Sequence, residues 1–311
     1  MLMETCIETK NRNGESLRGI LHSGNAEKYK KIVLICLNTG LNDMAGWHRI
    51  QVKTARFLSG QGYDVLRYDD SGIGDSDGIL NEESIVEIFT KIETGMFVDN
   101  ANAMVDFVAH KFNNHRIIYL GFCGGGLTGI FSAAVNKKIQ GVIAIGAPVT
   151  LSSNEYFYKR DPWVVQKNIE NYWLKLFNVK SWIRFLTFRG DYRTVFASLF
   201  LFFKNKLSGT YSEKPSNTPD DKKVNLNQEF FIAFKQFVKR DIPCLFFYAE
   251  NDSATWEFKK YFMEVYQKSG IWNPEKIRFC EAKHANHILS SEESQKLLNE
   301  HIMTYLEQFQ S

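Results

Sequence analysis

One six-residue stretch, Gly121-Phe122-Cys123-Gly124-Gly125-Gly126, constrains this chain more than any other. It joins residues 116–120, an apolar run read as a strand, directly to residues 127–135, read as a helix. The pattern G-x-C-x-G at such a junction puts a nucleophile on a strained turn, clear of the carboxyl edge of a sheet. Glycines at 121, 124 and 125 leave room for the sharp turn and for close packing of helix on strand. The helix N-terminus carries partial positive charge and free N–H groups beside the sulfur, which favours a thiolate. An ordinary thiol, with a pKa of ~8.5, is mostly protonated at neutral pH, so a nearby imidazole would add to the activation. Two other glycine-rich loops fit less well. No Gly-Lys-Ser/Thr follows, which excludes a Walker phosphate loop. Residues Gly124 to Gly129 match G-x-G-x-x-G formally, but inside the helix rather than at its start.

The rest of the chain supplies a scaffold for such a turn. Residues 4–9 and 17–22 alternate about Asn11-Arg12-Asn13-Gly14, a hairpin signal. Lys31 to Leu37 is a continuous apolar run, suited to a strand buried on both faces. Residues 48–61 have helical spacing and end at Gly62, a C-cap glycine. Residues 64–68 read as a strand, 69–76 as a loop, and 82–111 as helix broken near Gly95. Strands follow at 140–145, 242–249 and 276–281, with helices at 256–268 and 291–309. His284 and His287 fall in a loop after the last strand. Strands alternating with helices predict a doubly wound, mostly parallel sheet covered on both faces.

Residues 151–240 break the alternation. They hold 20 of the 44 aromatic residues and 16 Lys and Arg against 8 Asp and Glu, in a chain whose net charge is only +3. The composition predicts a core of residues 1–150 and 241–311 with an aromatic, basic, mostly helical cap of residues 151–240 inserted between strands 6 and 7. Within it, residues 194–207 are strongly apolar but too short to cross a bilayer, and residues 208–227 read as a polar loop. No window of 18 unbroken apolar residues occurs, so no membrane span is expected, and the polar N-terminus is no signal peptide. The cytoplasm is the expected location. So small a net charge gives no ground for nucleic-acid binding. The five cysteines are odd in number and lack CxxC or metal-like spacing, which argues against a disulfide framework or zinc site. Cys6, Cys36, Cys244 and Cys280 are expected to be buried core thiols.

With cysteine where most members have serine, Gly121-Phe122-Cys123-Gly124-Gly125 resembles the elbow of α/β-hydrolases. Locally the chain is similar to dienelactone hydrolases, which also have cysteine there. A further likeness runs through Gly40-Leu41-Asn42-Asp43, His48-Arg49, Leu66-Arg67-Tyr68-Asp69 and Ser71-Gly72-Ile73-Gly74-Asp75-Ser76. It continues at Trp182-Ile183-Arg184-Phe185-Leu186 and Asp191-Tyr192-Arg193. These stretches resemble the capped α/β-hydrolases associated with exosortase and surface-polysaccharide systems. The resemblance implies an eight-stranded sheet and a triad in the order nucleophile, acid, histidine.

On that order Asp252, just past the strand 242–249, is the expected acid, with Glu250 as rival and a helix N-cap as its structural alternative. His287 in Ala285-Asn286-His287-Ile288 is the expected base, with His284 as rival. His48 is a further candidate for positioning substrate or loop, or else a surface residue. The oxyanion hole is expected from the backbone N–H groups of Gly124 and Leu41, although this chain has Thr39-Gly40 where the family often has His-Gly. The resemblance gives Asp69, Asp70 and Asp75 loop-structuring roles rather than a metal site. No metal or cofactor is expected.

The implied chemistry is cleavage of an ester or thioester through a Cys123–His287–Asp252 triad and a thioester acyl-enzyme. Two alternatives stand beside it: an acyltransferase serving an alcohol or amine, and a non-catalytic binding protein on the same fold. The basic cap would suit a polyanionic partner such as acyl-CoA, an acyl carrier protein or a lipid head group, with peripheral membrane contact as a lesser option.

Overall fold

The computed structural model describes residues 3–81, 84–151 and 225–310. Its strands are β1 (Glu4–Lys10), β2 (Ser16–His22), β3 (Ile32–Leu37), β4 (Asp64–Tyr68), β5 (Arg116–Phe122), β6 (Ile139–Ile145), β7 (Cys244–Asn251) and β8 (Ile277–Asn286). They form one sheet in the order β1-β2-β4-β3-β5-β6-β7-β8. β1 pairs antiparallel with β2 and β2 antiparallel with β4; every later pair is parallel. This is the α/β-hydrolase sheet that the resemblance implies. The hairpin between β1 and β2 turns where the sequence places it, with Asn11 Oδ1 accepting the N–H groups of Asn13 and Glu15.

The central strands are apolar throughout because each face needs its own core. Along β3, Val33, Ile35 and Leu37 face one side and Ile32, Leu34 and Cys36 the other, the period of two that a pleated strand imposes. The first side packs against α3 (Val98–Lys111), α4 (Gly124–Val135) and α5 (Gln228–Val238) through Met104, Val105, Ile130, Phe230 and Phe234, and α2 (Ile85–Glu93) lies against the start of α4. The second packs against α1 (Ile50–Gly60) and the closing helix (Glu292–Glu307) through Ala55, Leu58, Leu298 and Ile302. Each of the Leu, Ile, Val, Met and Phe side chains among these, fully buried, contributes ~1.5–3 kcal/mol.

The structure departs from the sequence reading in four places. α5 lies within residues 151–240, yet Phe230, Phe234 and Phe237 are fully buried in the body. Phe234 meets Phe262 edge-on at 4.6 Å between centroids, so the helix belongs to the core by its aromatic face. Cys6 is exposed rather than buried, because β1 is an edge strand with little covering it, and Cys280 is half-buried. Helix α1 begins at Ile50, preceded by a 3-10 turn at Trp47–Arg49. β8 continues to Asn286, so His284 lies in a strand; Asn286 pairs with Asn251 across a register shift.

Residues 152–224, between β6 and β7 in the chain, lie outside the described residues, as does the expected cap that falls on them. At their flanks, Thr150 bridges Leu226, and the Leu151 N–H donates to the Asn225 carbonyl at 2.8 Å.

Candidate active site

The site is built at the carboxyl ends of β3, β5, β7 and β8. Cys123 stands between β5 and α4 with φ 51° and ψ −119°, a conformation that L-residues rarely adopt. Neighbouring backbone holds it there. Its N–H donates to the Ile145 carbonyl on β6 at 2.7 Å, and its carbonyl accepts the Gly126 N–H at 2.9 Å. The turn needs glycine at 121 because an added Cβ would lie 2.3 Å from the Gly125 carbonyl. At 125 a Cβ would meet the Asn38 carbonyl at 2.5 Å, so the start of α4 lies directly on the end of β3. Cys123 is half-buried.

Asp252 and His287 converge on it from 129 and 164 residues further along. Asp252 follows β7 and His287 follows β8. His287 Nδ1 lies 2.6 Å from Asp252 Oδ2, a charge-assisted distance. The other oxygen, Oδ1, accepts the Ala254 N–H at 3.1 Å and caps the helix Ser253–Glu257. Asp252 thus both caps a helix and hydrogen-bonds His287. Burial alone would push its imidazole down; the Asp252 hydrogen bond, with Cys123 close by, outweighs that and raises it from 6.5 to about 10. The ring passes over Gly146, where a Cβ would lie 3.3 Å from His287 Cε1.

The rival residues pair with each other. Glu250 Oε2 accepts the His284 N–H at 2.9 Å, and Oε1 lies 3.3 Å from Lys283 Nζ. The His284 side chain is almost fully exposed.

Leu41 and Gly124 are brought to one place. Gly124 lies against the Leu41 loop, since a Cβ there would be 3.7 Å from Gly40 Cα. Neither N–H has a hydrogen-bond partner among the described residues. Thr39, buried behind this loop, accepts Gln51 Nε2 on its hydroxyl at 3.0 Å. His48 is not brought into the cluster. It is exposed, with φ 49°, and lines a groove of about 800 Å³ with Leu41, Trp47, Ile73 and Leu80. No hydrogen bond or ion pair joins it to the other candidates. Asp69 accepts the N–H groups of Met44 and Asp75, the loop-structuring role expected of it. No group of three or more metal-ligating side chains occurs among the described residues.

Sequence reasoning missed Trp47. Its ring meets His287 edge-on at 5.2 Å between centroids. Only its place beside His48, in the loop after β3, pointed that way.

The α/β-hydrolase fold model matches residues 32–293. No curated protein matches the chain. Among solved structures, the esterase Pf2001 of Pyrococcus furiosus is 15% identical, with a TM-score of 0.59, over 99% of this chain and 90% of that one. Est1E of Butyrivibrio proteoclasticus, solved with ferulic acid, is 17% identical, with a TM-score of 0.55, over 97% and 98%. XC6422 of Xanthomonas campestris, described as an α/β serine hydrolase without a lid, is 10% identical, with a TM-score of 0.55, over 99% and 95%. Sheet order, elbow and family match agree: this chain belongs to the α/β-hydrolase family.

Proposed function

We propose that the protein hydrolyses an ester or thioester of a small acyl substrate, with Cys123 as nucleophile, His287 as base and Asp252 as acid. The carrying observation is the Asp252–His287 hydrogen bond with the imidazole set beside the Cys123 thiol at the strained turn. The esterase neighbours favour an ester as the bond cleaved.

The Cys123 thiol gives its proton to His287, and the sulfur attacks the substrate carbonyl carbon. The carbonyl oxygen takes the negative charge and is stabilised by the Leu41 and Gly124 N–H groups. Collapse breaks the bond to the leaving alcohol or thiol, which departs with the proton from His287. Water then gives a proton to His287 and attacks the thioester. The second collapse releases the acid and returns the proton to the Cys123 sulfur. Asp252 keeps the imidazole in the tautomer that both halves need and stabilises its charged form.

Incubation with p-nitrophenyl acetate, followed by intact-mass measurement, tests the reading. The expected result is one acetyl group on the wild-type chain, none on Cys123→Ala, and free acetate as product. No adduct and no turnover by the wild type, or an adduct that survives in Cys123→Ala, would refute it.

A further inference from the structure

Met44 sits midway between Leu41 and Trp47, and both of its backbone polar groups are held by one short stretch of β4 and its exit. The Met44 N–H donates to Asp69 Oδ1 at 2.6 Å. The Met44 carbonyl accepts a hydrogen bond from an Arg67 terminal nitrogen at 2.8 Å. Arg67 and Asp69 are two residues apart, which directs both side chains to one side of the extended chain. They are 3% and 1% exposed.

Each is tied to further structure. Asp69 Oδ2 accepts the Asp75 N–H at 3.0 Å, and its carbonyl accepts the Ser76 hydroxyl at 2.6 Å. The carboxylate therefore links the Leu41–Trp47 loop to the loop after β4. Arg67 Nε donates to His22 Nε2 at 2.9 Å. Burial, with Arg67 itself, pushes His22 down to about 4, which leaves that nitrogen an acceptor at neutral pH. The proton then sits on His22 Nδ1, 3.3 Å from Glu4 Oε1.

Among the described residues no carboxylate lies within ion-pair distance of Arg67. A buried cation of this kind is costly, and an apolar side chain of similar volume is often no worse for stability. What an apolar residue cannot supply is the donor to the Met44 carbonyl.

We propose that Arg67 and Asp69 are positioning residues that clamp the Met44 peptide groups and thereby aim the Leu41 N–H at the developing oxyanion. This rests on the hydrolase reading above. The clamp touches neither Cys123 nor the substrate, so it governs only chemistry that uses the loop. Ester acylation needs the oxyanion donors. Alkylation of a thiolate by iodoacetamide forms no oxyanion and does not.

The test compares the two rates at Cys123, read by peptide mass, in wild type, Asp69→Asn, Arg67→Met and Arg67→Lys. Asn keeps the shape of Asp but sets an NH₂ against one of the two N–H groups. Removal of one oxyanion donor costs about 10²–10³-fold, so a misaimed donor is expected to cost about 10–100-fold. Asp69→Asn and Arg67→Met should lose that factor in acylation by p-nitrophenyl acetate and stay within about twofold in alkylation. Arg67→Lys, which keeps a donor for the Met44 carbonyl, should recover most of the acylation. Equal losses in both reactions, or no loss in either, would overturn the clamp. Should Arg67→Met unfold, Asp69→Asn decides alone. A wild-type chain that is alkylated but never acylated overturns the hydrolase reading and the clamp together. One that is acylated, with variants acylated equally fast, overturns the clamp alone.

Discussion

Asp252→Asn replaces one oxygen by an NH₂ group and reverses one hydrogen bond. Oδ1 is committed to the Ala254 N–H, so the Asn carbonyl must stay on that side. The NH₂ then takes the place of Oδ2, 2.6 Å from His287 Nδ1, where it can only donate. Nδ1 becomes an acceptor and the imidazole proton moves to Nε2. An Nε2–H cannot receive the thiol proton. The support that raises His287 to about 10 is lost at the same time. The same change in a serine-based triad lowers kcat by ~10⁴-fold through this tautomer error. A thiol leans less on its base than a hydroxyl does, so a fall of about 10³-fold is expected here, or ~4 kcal/mol in the barrier. The assay is the pre-steady-state rate of acetyl transfer to Cys123, with thermal melting to verify the fold. Glu250→Gln serves as contrast and should stay within about threefold, because Glu250 binds His284 and Lys283 rather than His287. An Asp252→Asn protein that melts normally and acylates within tenfold of wild type would refute the tautomer argument. A larger loss in Glu250→Gln than in Asp252→Asn would name the wrong acid.

Gly121→Ala should destabilise by ~1–3 kcal/mol or more, since its Cβ would lie 2.3 Å from the Gly125 carbonyl and the start of α4 must move. Gly60→Ala, with no atom within 4 Å of the new methyl, is the control; equal urea midpoints for the two variants would contradict the close approach. Asp70 is buried, and burial pushes its carboxyl from 3.8 to about 8. Between those values the folded chain keeps a proton that the unfolded chain has lost, so stability falls as pH rises through the window. The urea midpoint of the wild type should therefore drop relative to Asp70→Asn between about pH 4 and pH 8. Glu257, raised to about 7, adds the same slope to both proteins and cancels. A gap that does not change with pH would rule the argument out.

The elbow was legible because it is local: three glycines, a cysteine and the strand before them sit within a dozen residues. The pairing of Asp252 with His287 was legible one step less directly, through the rule that orders a triad along strand ends. Trp47 was not legible, because its contact with His287 joins residues 240 positions apart and no spacing reports it. The end of β8 was hidden for a similar reason. Lys283-His284-Ala285-Asn286 is polar and reads as loop, and it is strand only because Asn251 receives it after a register shift. α5 was assigned to the wrong side of a compositional boundary, since an aromatic helix looks alike whether it serves an insertion or a core. Its neighbours Phe246, Phe262 and Tyr266 settle its place, and all three come later in the chain.

The seam between β6 and β7 divides the chain chemically. Everything the sulfur needs to be presented, including the Ile145 carbonyl that anchors its own N–H, is made before the seam. Both side chains proposed to activate it, Asp252 and His287, are made after it. A chain emerging from the ribosome is therefore expected to display a finished elbow long before an imidazole exists to serve it. On the proposed mechanism, completing the last strand is the arming step.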